Sequence, residues 1–211
     1  SSYNSNFAKN FTFGADFDKW VCDLMLPSLM GDKDSDAPLA LADIGAGSCY
    51  WASLFLDRLP QATLAAVDPS EDLLLRQSEQ VVTASQALTG RLQRYCETAQ
   101  SFSRRCAEGP DVGAFDSIYF MQSAHYVAHD EFRAVFGALA KALKPNGGRI
   151  VIQARNMTPK WYPWAFPDEW KSGVEDRLRA TDMFYRADRY ARSFSEMSDI
   201  FSRVETVESS I

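Results

Sequence analysis

The chain has 211 residues, 46% hydrophobic and 24% charged, which fits a globular protein with a well-formed core. Its 28 acidic and 22 basic residues leave a net charge of −6, which argues against a broad nucleic-acid-binding face built from lysine and arginine. No apolar run approaches the roughly 20 residues of a membrane span, and the start carries no charged-then-apolar signal peptide. Four cysteines (Cys22, Cys49, Cys96, Cys106) lack C-x-x-C spacing and read as reduced thiols, mostly small buried hydrophobes, in a cytoplasmic protein.

In chain order, residues 1–12 are polar with scattered aromatics. Residues 16–30 then place Phe17, Trp20, Val21, Leu24, Met25 and Leu29 at helical spacing, which predicts a helix packed on a sheet edge. Residues 31–38 are a polar, Asp-rich connection and nothing more. From Leu39 an apolar run reaches Asp43 and Ile44, and Gly45 and Gly47 follow at alternate positions. A buried parallel strand reads as such a run. The glycines permit a tight turn and let a ligand approach the backbone. An amphipathic helix over 51–59, ended by Pro60, would point its free N–H groups at that turn. The stretch is a small-molecule cradle at the carboxyl end of a first strand.

A second apolar run, 63–67, ends in Asp68-Pro69. Asp68 lies 25 residues beyond Asp43, close to the separation expected of a carboxylate that receives ribose hydroxyls, although an aspartate there also suits a helix cap. A helix is expected over 71–88 and a short third strand over 91–96. Arg91, Arg94, Arg104 and Arg105 nearby read as scattered surface charge. A fourth strand spans 114–121. His125, just after it, is the best general-base candidate because imidazole titrates near neutrality; a histidine held by a backbone carbonyl is the plainer reading. His129 follows four residues on, but no third ligand accompanies the pair, so no metal site is predicted. A helix over 131–143, a Pro-Asn-Gly-Gly turn and a fifth strand over 149–154 follow.

The dinucleotide fingerprint G-x-G-x-x-G is broken by Tyr50, which speaks against a nicotinamide-dependent oxidoreductase. The string Asp43-x-Gly45-x-Gly47 instead resembles motif I of the class I S-adenosylmethionine-dependent methyltransferases, with Cys49 where that family often has a third glycine. Asp68 resembles the family's motif II acid, and Leu143-Lys-Pro-x-Gly-Gly is similar to the stretch before its fifth strand. The resemblance covers roughly residues 39–155. It implies an α/β three-layer sandwich, a mostly parallel sheet with helices on both faces, ending before the antiparallel strand with which the family's sheet usually closes.

The resemblance further implies S-adenosylmethionine as cofactor and S-adenosylhomocysteine as product. Asp43, Gly45 and Gly47 would lie near the methionine part, Asp68 at ribose, and Glu97 with Thr98 at adenine, with Ala46, Pro69 and Gln122 as further cofactor-binding positions. The expected organisation is one methyltransferase domain over 1–211. Within it, 1–30 is a helical and lid segment, 39–155 the cofactor core, and 156–200 an aromatic-rich insertion with helices. Trp161, Tyr162, Trp164, Phe166 and Trp170 fall among three prolines in that insertion. Trp161, Trp164 and Tyr126 are candidate substrate-binding residues, since aromatic faces hold flat rings or alkylammonium groups. A short helix over 195–201 and a sixth strand over 203–209 complete the expectation.

The reading is methyl transfer to an oxygen, nitrogen, sulfur or carbon nucleophile of a small-molecule acceptor. The alternatives are a non-catalytic S-adenosylmethionine-binding module and a methyltransferase acting on RNA or protein. A transferase using decarboxylated S-adenosylmethionine is weaker, because residues 117–126 carry no acid to hold its amine.

Overall fold

The computed structural model describes residues 15–79, 90–153, 190 and 193–205, and the chain divides into two compact units, 1–152 and 153–211. In the first unit, helix α1 (Ala15–Met30) leads to strand β1 (Ala40–Ile44), helix α2 (Tyr50–Arg58) and strand β2 (Thr63–Val67). Strand β3 (Leu92–Tyr95), helix α3 (Ala99–Glu108), strand β4 (Ser117–Met121), helix α4 (Phe132–Ala142) and strand β5 (Arg149–Gln153) follow.

The strands form one sheet in the order β3-β2-β1-β4-β5, and β1 pairs in parallel with both β2 and β4. The chain winds outward from β1 to β3 and then returns to β4 on the other side of β1. That reversal opens a crevice outside the carboxyl ends of β1 and β4, where such sheets bind ligands. Every residue of β4 is buried, as are four of five in β1 and β2, because helices cover both faces.

Side-chain alternation along β4 sorts the two cores. Tyr119 and Met121 join Val21, Met25 and Leu29 of α1 and Phe55 and Leu56 of α2, with the Phe55 and Tyr119 rings 5.4 Å apart. Phe120 points the other way and meets Phe136 of α4, ring centroids 5.1 Å apart. This is the three-layer α/β arrangement that the alternation of apolar strands and helices predicts.

Four expectations change. The helix predicted from residue 71 opens as a π-helical stretch, Asp72–Gln77, where the Gln77 amide reaches Asp72 at 2.9 Å across the wide turn; residues 80–89 lie outside the described residues. The 31–38 connection does more than connect, since Lys33 pairs with Asp116 at 2.6 Å. In the second unit, one helical turn at 193–195 gives way to three-residue turns, with Met197 N bonding Phe194 O at 3.0 Å and Ile200 N bonding Met197 O at 2.8 Å. Residues 203–205 carry no strand: all three are exposed, which leaves no buried face to sustain one, and Arg203 pairs with Glu205. Residues 1–14, 154–189 and 206–211 fall outside the described residues, and with them the expected lid, the aromatic insertion and Trp161 and Trp164.

Candidate functional site

The carboxyl ends of β1, β2, β3 and β4 bring most of the sequence-predicted residues to one rim. Gly45 and Ala46 donate their N–H groups to the Val67 carbonyl at 2.8 and 3.0 Å, which folds the turn back over β2. Gly47 N donates to Asp68 Oδ2 at 2.9 Å, and Ser70 N donates to Asp68 Oδ1 at 2.8 Å. Asp68 is thus both a turn organiser and a buried acid facing the glycine loop; Pro69 beside it is exposed. Each carboxylate oxygen accepts one backbone N–H and retains acceptor capacity for another donor.

The two glycines differ. Gly45 takes φ +78°, and a Cβ there would lie 2.4 Å from Ser123 Cβ, so close packing demands glycine. Gly47, at φ +54°, has nothing among the described residues within 4 Å of the Cβ position. Cys49, standing where the resembled family often has glycine, keeps the left-handed conformation at φ 61° and opens α2. Burial, reinforced by Asp43, pushes its thiol up to about 12, so it packs and does not react.

Asp43 is 1% exposed and sits opposite Tyr119 in the β1–β4 register. The Tyr119 hydroxyl is near enough to favour the carboxylate form, yet among the described residues neither Asp43 oxygen nor that hydroxyl completes a hydrogen bond. Desolvation therefore dominates, Asp68 adds to it, and the Asp43 carboxyl is pushed up to about 8. A fully buried acid without a donor, beside an open glycine turn, is an unmet demand for one.

Beyond β4, Gln122 is half-buried at φ 56°, a left-handed conformation that non-glycine residues hold only when their surroundings enforce it. Ser123 Oγ donates to Ile44 O and locks the loop onto the end of β1. His125 stacks on Tyr126 with ring centroids 4.1 Å apart; burial lowers the His125 pKa, while Tyr126 is 74% exposed. Beyond β3, Thr98 is exposed and caps α3 by accepting from Ser101 N at 3.1 Å. Glu97 is half-buried and held by Arg105 at 2.8 Å.

A sequence model of the methyltransferase domain matches residues 42–149, just over half of the chain. The chain belongs to the S-adenosylmethionine-dependent methyltransferases. The match starts inside β1 and ends at the first residue of β5, so it contains the whole rim.

Solved structures agree at the level of fold. The plantazolicin methyltransferase BpumL, solved with S-adenosylhomocysteine and a triazolic desmethyl analogue, aligns with a TM-score of 0.63 at 14% identity, over 93% of this chain and 68% of that one. The YcgJ protein of Bacillus subtilis gives 0.56 at 18% identity, over 84% of this chain and 67% of that one. A phosphoethanolamine N-methyltransferase of Haemonchus contortus gives 0.53 at 17% identity, over 85% of this chain and 36% of that one. The chain spans about half the length of several other structures it matches. No curated protein sequence matches it.

Within this methyltransferase the arginines read as scattered surface charge are engaged. Arg91 donates to the carbonyls of Leu56, Leu59 and Ala62 at 2.9–3.2 Å, neutralising the carboxyl end of α2. Arg94 reaches Ser78 Oγ at 3.0 Å, and Arg105 binds Glu97 and Asp111. Cys96 is exposed, unlike the other three thiols. Sequence reading missed Tyr119 and Ser123. Tyr119 looked like any strand aromatic, and only the parallel register sets it against Asp43. No helix among the described residues is long and apolar enough to cross a membrane.

Proposed function

We propose that the chain holds S-adenosylmethionine across the carboxyl ends of β1, β2 and β3 and passes its methyl group to an enclosed small-molecule acceptor. One observation carries the reading: the space left open at Gly47 among the described residues, with the Gly47 amide tied to Asp68 at the carboxyl ends of β1 and β2. These residues fit the cofactor. Asp68 would receive the ribose hydroxyls on its remaining lone pairs, the Gly45–Gly47 turn would pass beneath the methionine part, and Glu97 would face the adenine amino group. Thr98 would serve chiefly as a helix cap.

S-adenosylmethionine supplies a methyl group already activated on sulfur, so the chain's task is proximity, alignment and exclusion of water. Burial keeps His125 neutral at pH 7 and therefore able to take a proton from an acceptor that loses one early. Tyr126, 74% exposed beside His125, would face the acceptor; Trp161 and Trp164 of the aromatic-rich stretch lie outside the described residues and stay candidates on the sequence alone. The acidic net charge and this aromatic stretch favour a small acceptor over a nucleic acid. Free thiols suit a reducing, cytoplasmic setting.

The test is incubation of the protein with methyl-labelled S-adenosylmethionine and, separately, panels of small nucleophiles, RNA and protein. Label in small molecules is expected. Label confined to RNA or protein would overturn the acceptor class, and binding without label in any pool would favour a non-catalytic module.

A further inference from the structure

Arg105 lies two turns along α3 from the loop that carries Glu97, and all three of its guanidinium nitrogens are engaged. The Tyr95 ring lies 4.6 Å from its central carbon and the Phe102 ring 4.9 Å, so the plane is stacked as well as charged. Nη1 donates to Asp111 Oδ2 at 2.5 Å. Nε and Nη2 both donate to the same oxygen of Glu97, Oε1, at 3.1 and 2.8 Å. Glu97 Oε2 takes no hydrogen bond among the described residues. An arginine facing a lone carboxylate commonly forks across both oxygens; here the fork is split between two acids, which leaves one acceptor uncommitted.

The backbone places Glu97 itself at the rim. The Tyr95 carbonyl accepts from Asp68 N at 3.2 Å and from Glu97 N at 3.0 Å, so both acids hang from one peptide group at the end of β3. An anchored carboxylate oxygen accepts hydrogen bonds and cannot donate them. It selects an amino group over a carbonyl at the same place on a base.

We propose that Arg105 is a positioning residue: it holds Glu97 so that Oε2 receives the exocyclic amino group of the cofactor's adenine, and so sets the preference for a 6-amino over a 6-oxo purine. This rests on the cofactor reading given above. The test is calorimetric titration of S-adenosylhomocysteine and its 6-oxo analogue, S-inosylhomocysteine, into wild type, Arg105→Gln and Arg105→Lys, with melting curves confirming that each is folded. Wild type should prefer the amino compound by about tenfold or more, because a site built for a donor leaves its acceptor unpaired against a carbonyl. Arg105→Gln should shrink that preference to about threefold or less, mainly by weakening the amino compound, and Arg105→Lys should restore part of it. A merely structural arginine would weaken both compounds alike. Preference for the amino compound retained in Arg105→Gln, or lacking in wild type that binds both, overturns the inference and leaves the cofactor reading standing. Wild type that binds neither compound overturns both.

Discussion

Two buried aspartates sit at opposite ends of neighbouring strands and meet opposite treatment. Asp116, just before β4, is 7% exposed and fully provided for: Lys33 at 2.6 Å, Lys144 at 2.8 Å and the Ala40 amide at 2.8 Å. Burial alone would raise its pKa, but the hydrogen bonds from Lys144, Lys33 and Ala40 outweigh it and hold the carboxyl below the ordinary carboxylate range. Asp43, toward the carboxyl end of β1, is more deeply buried and accepts no hydrogen bond among the described residues, and its carboxyl is pushed up to about 8. One end of the sheet satisfies its polar groups from within the chain. The other leaves the Asp43 carboxyl unfilled among the described residues, and that difference is the one expected between a structural acid and one placed for a ligand.

The largest effect that would sharpen this contrast is at the glycine turn. Gly45→Ala drives a Cβ to 2.4 Å from Ser123 Cβ at a left-handed φ and should lose about 2–4 kcal/mol in urea denaturation. Gly47→Ala meets open space and should lose only about 1 kcal/mol while abolishing most cofactor binding. Equal destabilisation by the two would deny that Gly47 borders a ligand space.

Asp116→Ala leaves the Ala40 amide without its acceptor and should lose about 1–3 kcal/mol at pH 7. The two lysines add little to that figure, since they are 41% and 40% exposed. Because the folded pKa of Asp116 is lowered, its contribution is present above the unfolded value of 3.8 and is lost as pH falls through the folded value. The gap between wild type and variant should therefore close in acid.

Asp43 has the opposite sign. Its folded pKa is raised, so its neutral form is tolerated below 3.8, and the cost of ionisation accumulates as pH rises toward about 8. Asp43→Asn should gain on wild type between pH 5 and pH 8 by at least about 2 kcal/mol in parallel denaturation series without ligand. A constant difference across that range would show that Asp43 has a donor after all.

The element order was readable in the residues themselves. Continuous apolar runs at 39–44, 63–67 and 114–121 hold strands buried on both faces, and the helices expected over 16–30, 51–59 and 131–143 fell within a residue of those bounds, whereas α3 was not read from the sequence. The glycine turn and Asp68 were legible because sterics and charge at a strand end leave few other uses for them. What stayed hidden depends on contacts between distant positions. The Asp43–Tyr119 apposition needs the β1–β4 register, the Asp116 cluster joins a linker lysine to a turn lysine, and Arg105 needs the pitch of α3 to reach Glu97. Local spacing cannot report such pairs. Nor could it report the π-helical start at Asp72–Gln77, where backbone hydrogen bonds span five residues rather than four.

The central claim is that the rim around Asp68 is a cofactor site, and calorimetric titration of S-adenosylmethionine and S-adenosylhomocysteine into wild type and Asp68→Asn tests it most directly. Asparagine keeps one oxygen for the Gly47 or Ser70 amide but loses the charge and half the acceptor capacity. The account predicts micromolar binding by wild type and a loss of about tenfold or more in the variant, with both proteins folded. Unchanged affinity in Asp68→Asn, or no binding by folded wild type, would contradict it.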